Sequence, residues 1–235
     1  MNVEIEALKH SLAIQESWQQ HPIEERANIL KTWGERLVQR DSQYTQAAQM
    51  IEFQCRQALH FLAQPHDLPG PTGESNQLYC VGRGSFLVFG DDSAKSLAMV
   101  GLMNAALMAG NPIICSVDTR ADCNLTELLS ELLKAGCPDR IAIQLSPNLS
   151  EALASQPLLA GVALAGSEST CMHYNQLLAA REGRLAQLIY ETDLSNLTYL
   201  SNPSLCLRFM TERTRTINVT AIGGNATLLE LGSAE

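Results

Sequence analysis

Seven cysteines and five histidines are the residues of this chain best suited to nucleophilic or metal chemistry. A thiolate nucleophile needs a neighbouring base or cation, and a zinc site needs paired ligands at short spacing. Cys55, Cys80, Cys115, Cys123, Cys137, Cys171 and Cys206 are odd in number, and no two stand in C-x-x-C spacing. That argues against both a disulfide framework and a zinc site. His10, His21, His60, His66 and His173 form no metal-binding or catalytic spacing. Free buried thiols in a reducing cytoplasm are the expected state, and the expected localisation is cytoplasmic.

The elements that would position such residues change character along the chain. Residues 3–64 are nearly free of glycine, and Ile23, Ala27, Leu30, Trp33 and Leu37 recur at helical spacing. A second stripe runs through Ala47, Met50, Ile51, Cys55, Ala58 and Phe61, with Ser42 as its candidate cap. Two or three amphipathic helices are predicted. "LPGPTGESNQL", Leu68 to Leu78, then packs two prolines and two glycines into six positions, which predicts a stiff joint. Beyond it, "SFLVFG", "NPIICSVD", "DRIAIQLS", "LAGVALAGS" and "LAQLIYETD" read as strands, with helical stretches between them. This alternation predicts an α/β fold: a Rossmann-like, doubly wound parallel sheet preceded by a helical segment. "RTRTINVTA" alternates polar and apolar residues and predicts a C-terminal β extension. The expected organisation is a helical segment over 1–67, a nucleotide-fold domain over 68–212 and a β tail over 213–235.

Composition narrows the function. A net charge of −9 with no basic run argues against nucleic acid. "MNVEIEALKH" lacks the cationic and apolar regions of a secretory signal, and no run reaches the roughly 18 apolar residues of a membrane span.

Several segments resemble one family. "HPIEERANILKTWGERL" is similar to the N-terminal helix of aldehyde dehydrogenases. "AGNPIICSVDT" resembles their A-G-N-T-V-V-L-K-P-S-E strand and loop, "LAGVALAGSES" the strand ending F-T-G-S-T, and "QLIYETD" the strand carrying E-T-G-G. "LPGPTGESNQL" and "TINVTAIGGNATLLELG" more narrowly resemble the C-terminal region of the proline utilisation A family, whose members fuse proline dehydrogenase to L-glutamate γ-semialdehyde dehydrogenase. The resemblance covers residues 22–235 with gaps.

The resemblance implies a degenerate, non-catalytic domain. The family's cysteine lies in a G-Q-x-C context that is missing here, and Cys206 stands in the apolar run "PSLCLRF". "FGDDSAK" replaces the loop that supplies an oxyanion asparagine, so Asp91 and Asp92 bring the wrong charge to that position. Ser116 stands for the lysine that grips the cofactor ribose. Gly166 and Ser167 survive from the phosphate-binding turn, while Cys171 replaces its second glycine and Glu168 adds an opposing charge or simply caps the helix. Glu191 matches the general-base position but is followed by Thr192-Asp193. Catalytic residues and a cofactor are therefore not expected; NAD is expected if the chain is instead a dehydrogenase with residual activity. A small-molecule or nucleotide-binding module is the third reading. Implied partners are proline dehydrogenase and aldehyde dehydrogenase domains, in the same or another chain, or a second copy of this one. The tail is the expected interface, through Ile217, Val219, Gly223, Gly224, Asn225, Leu228 and Leu229.

Overall fold

Three helices open the chain: α1 (Val3–Gln20), α2 (Ile23–Arg40) and α3 (Thr45–Leu62). The computed structural model describes residues 2–218. The apolar stripe of α2 is buried from Ile23 to Leu37, and Ala47, Ile51, Cys55 and Ala58 of α3 are buried with it. The two helices approach closely at Gly34, where an added Cβ would lie 3.3 Å from the Ala48 Cα. Asp41, rather than the expected Ser42, caps the turn between them; its carboxylate accepts the Gln43 backbone N–H at 2.9 Å. The shorter aspartate-led turn begins one residue earlier than the helical stripe suggested.

The Pro/Gly stretch is a hairpin rather than a bare joint. β1 (His66–Leu68) pairs antiparallel with β2 (Glu74–Gly82), and Gly73 turns the chain with φ of +93°. β2 was not foreseen as a strand. Its full length pairs with the last described strand, β8 (Met210–Asn218), to make a three-stranded antiparallel ribbon in the order β1-β2-β8. The described part of the tail thus pairs within its own chain.

Between the ribbon strands lies a five-stranded parallel sheet: β3 (Phe86–Gly90), β4 (Ile113–Val117), β5 (Ala142–Gln144), β6 (Gly161–Ala165) and β7 (Gln187–Glu191). Its order is β5-β4-β3-β6-β7, so the winding reverses between β3 and β6. The connecting helices are α4 (Ser96–Met108), α5 (Leu125–Lys134), α6 (Ser150–Ala154) and α7 (Glu168–Ala180).

Strand side chains alternate between two cores. Phe86, Val88, Ile113 and Ala163 face α4 and α5, with α2 and α3 packed outside them. Leu87, Phe89, Ile114 and Val162 face α1, α6 and α7. Helix α4 is apolar on every side because it lies between the sheet and the outer helices. Two indoles stitch the layers together. Trp18 donates to the Leu107 carbonyl and Trp33 to the Leu128 carbonyl, each at 3.0 Å. Among the described residues no helix is long and apolar enough to cross a membrane.

Candidate functional site

In an open parallel sheet the ligand crevice forms at the carboxyl ends of the strands, where the winding reverses. Here that point lies between the end of β3 and the head of α7. Asp91 follows β3 directly and is almost fully buried. One carboxylate oxygen, Oδ2, accepts the Ser167 backbone N–H at 2.8 Å, the Ser167 hydroxyl at 2.9 Å and the Thr170 hydroxyl at 2.8 Å. The other, Oδ1, accepts the Ser93 N–H at 2.9 Å and the Ser93 hydroxyl at 2.6 Å. Burial alone would raise the Asp91 pKa; the donors from Ser93, Ser167 and Thr170 outweigh it and hold the carboxyl at about 2. Gly166 is glycine for the same reason. A Cβ there would stand 2.4 Å from the Asp91 Cγ. Asp91 and Asp92, which stand where the resemblance puts an oxyanion loop, both line the cleft beside α7. Asp91 reaches across to α7, and Asp92 pairs with Arg120 at 3.3 Å.

Beside Asp91 opens a cleft of about 370 Å³. Its carboxylates are Asp91, Asp92, Asp118 and Glu151, set against one arginine and one histidine. Arg120 is engaged by Asp92 and, at 3.0 Å, by Asp118; His173 meets Glu151 at 3.0 Å. Glu168 opens α7, whose N-cap is Ser167. The residues do not fit the two phosphates of a dinucleotide, because the helix-head donors are already taken by the Asp91 carboxylate. A second cleft, of about 470 Å³, lies between the loops that follow β4 and β5.

Glu191 ends β7 and is fully buried. Its carboxylate accepts three backbone N–H groups: Asp193 at 2.9 Å, Tyr199 at 2.8 Å and Leu200 at 3.0 Å. It folds the loop after β7 and presses Leu200 against α4 at Gly101, where a Cβ would meet Leu200 at 3.0 Å. The hydrogen bonds of the carboxylate all go to its own loop. Ser116 is likewise fully buried and accepts from the Ser150 hydroxyl at 2.9 Å, away from the cleft. The structure therefore brings together Gly166, Ser167 and Asp91; Glu191 touches them only through its backbone carbonyl, which accepts the Gly166 N–H at 3.1 Å, and Ser116 stands apart. The pairing of Asp91 with α7 escaped sequence reasoning; the Gly-Ser turn at the head of a helix was the one available signal.

Every cysteine has its pKa raised, with burial the largest cause. Cys55 and Cys137 are pushed up to about 12, Cys206 to about 11. None has an activating base. Among the described residues no group of three or more metal-ligating side chains is arranged to hold an ion. Ile217 sits exposed near the end of β8. Val219, Gly223, Gly224, Asn225, Leu228 and Leu229 lie outside the described residues.

No protein-family model matches the chain. Bifunctional protein PutA of Escherichia coli (strain K12) is 28% identical over 166 residues, which is 70% of this chain and 11% of that protein. A mutant of Bradyrhizobium japonicum PutA superposes with a TM-score of 0.72 at 28% identity, over 80% of this chain and 22% of its own. An NAD-dependent benzaldehyde dehydrogenase from Corynebacterium glutamicum shares the fold, with a TM-score of 0.69 at 14% identity, over 80% of this chain and 46% of its own. The chain spans about a fifth or less of the PutA proteins it matches. The motifs, the sheet order and these likenesses agree: the chain carries a PutA-like domain with the aldehyde dehydrogenase fold.

Proposed function

We propose that this domain is a non-catalytic member of a proline-catabolic PutA assembly. It packs on the dehydrogenase module and helps enclose the route taken by pyrroline-carboxylate. The observation that carries this reading is Glu191. The residue matching the family's general base is fully buried and spends both carboxylate oxygens on backbone N–H groups. A base so engaged has no access to a substrate proton. The raised thiol pKa values support the same reading, because no cysteine is poised as a nucleophile. Unbridged thiols suit the cytoplasm.

The partners in this reading are proline dehydrogenase and aldehyde dehydrogenase domains, of this chain's own protein or another, or a second copy. The ribbon supports an interface role. β8 is exposed beyond Met210, which favours cover by another surface. The test is a proline-to-NADH progress curve run with PutA catalytic domains, with and without this domain. A lag that the domain shortens supports enclosure. An unchanged lag together with absent binding overturns it. Turnover of glutamate semialdehyde by the domain alone, lost on Cys206→Ala, would establish the dehydrogenase reading instead.

One observation favours a small-molecule module as the second reading. The cleft of about 470 Å³ beside β4 and β5 lies at the carboxyl ends of the strands, where this fold class binds ligands.

A further inference from the structure

We infer that Asp91 is a resident anion: its carboxylate occupies the seat that the fold offers a ligand phosphate at the head of α7, and this one side chain keeps the seat closed. The donor set is that of a phosphate site. The Ser167 N–H, the Ser167 hydroxyl and the Thr170 hydroxyl converge on a single oxygen within 2.9 Å. The place is also that of a phosphate site, since it lies where the winding reverses between β3 and β6. Gly166 leaves room for close approach from the β3 side, and what approaches is Asp91.

An ordinary helix cap does not account for this arrangement. Ser167 already caps α7 by accepting the Thr170 N–H. Asp91 comes from another strand, 76 residues earlier. Its second oxygen is pinned by Ser93, so the carboxylate is held in position from the β3 side as well. The seat is therefore filled rather than dismantled, and it opens beside a cleft of about 370 Å³. The ligand class excluded is one bearing a phosphate or diphosphate.

The inference concerns binding alone and stands apart from whether the domain catalyses. Inorganic pyrophosphate is titrated against the native chain, Asp91→Gly and Asp91→Ser, with amide NMR of Ser167 and Thr170 and thermal melting as readouts. The native chain should show no saturable shift. Asp91→Gly and Asp91→Ser should show saturable shifts at both amides, and a Tm raised by roughly 5–10 °C at pyrophosphate about 100 times its Kd. Pyrophosphate binding at α7 by the native chain overturns the inference. So does a folded variant whose Ser167 and Thr170 amides ignore pyrophosphate. A variant that is unfolded and stays so in pyrophosphate also counts against it, since an open seat would be restored by its ligand. Binding by the variants without aldehyde oxidation leaves the proposed function standing.

Discussion

The Asp91 carboxylate accepts the Ser167 backbone N–H at 2.8 Å, across 76 residues of sequence. This bond joins the end of β3 to the head of α7 and couples the two halves of the doubly wound sheet through one ionised group. Its pKa in the folded chain, about 2, lies below the ordinary value of 3.8. The stabilisation is then fully present above about pH 4 and is lost as pH falls through about 2. Asp91→Asn should cost about 1.5–3 kcal/mol at neutral pH, the scale of hydrogen bonds to a charged group. The gap to the native chain should close between about pH 4 and 2. Urea midpoints across that range measure it, and a gap that persists unchanged to pH 2 would contradict the assignment.

Glu191→Ala should strand three backbone N–H groups, that of Leu200 buried, and release the loop from Asp193 to Leu200. The expected loss is about 3–5 kcal/mol. Glu191→Gln keeps one acceptor oxygen and should lose about half as much. Hydrogen exchange at Tyr199 and Leu200 reports the loop directly. Unchanged protection at both amides in Glu191→Ala would refute the structural role.

Gly166→Ala places a Cβ against the Asp91 carboxylate. The substitution should destabilise the native chain more than it destabilises an Asp91→Gly background. A double-mutant cycle should give a coupling of about 1–3 kcal/mol. Additive costs would mean that Gly166 is needed for another reason.

Cys55, Cys137 and Cys206, with pKa values near 12, 12 and 11, should resist alkylation at pH 7.5. Rates at least about a hundredfold below that of a free cysteine peptide are expected while the chain is folded. Mass spectrometry after timed iodoacetamide treatment reads each site. One fast thiol among them would reopen the case for a nucleophile.

The parallel sheet was legible because its signal is local. Each strand is a short apolar run bounded by turn residues, and helices such as Leu125–Lys134 carry their own stripe and terminal glycine. The ribbon was not legible. "ESNQLYCVG" is mixed in character, and what makes it a strand is β8, far along the chain. The site divides in the same way. Gly166 and Ser167 announced a helix head, since their geometry is set by neighbours in sequence. The roles of Asp91 and Glu191 depend on what the fold brings against their oxygens. Asp91 meets a helix 76 residues away, and Glu191 turns back on a loop whose shape it creates.

The β2–β8 pairing imposes an order of events. Asn76 and Thr216 meet across 140 residues, and the whole parallel sheet is encoded between them. On a growing polypeptide β2 leaves the ribosome long before its partner exists. Its outer edge must wait bare while five strands and four helices are made. Closing so long a loop early would cost entropy with little return. The ribbon is therefore expected to fasten after the sheet encoded between its strands has formed. Until then, a chaperone or a neighbouring nascent chain has a free strand to hold.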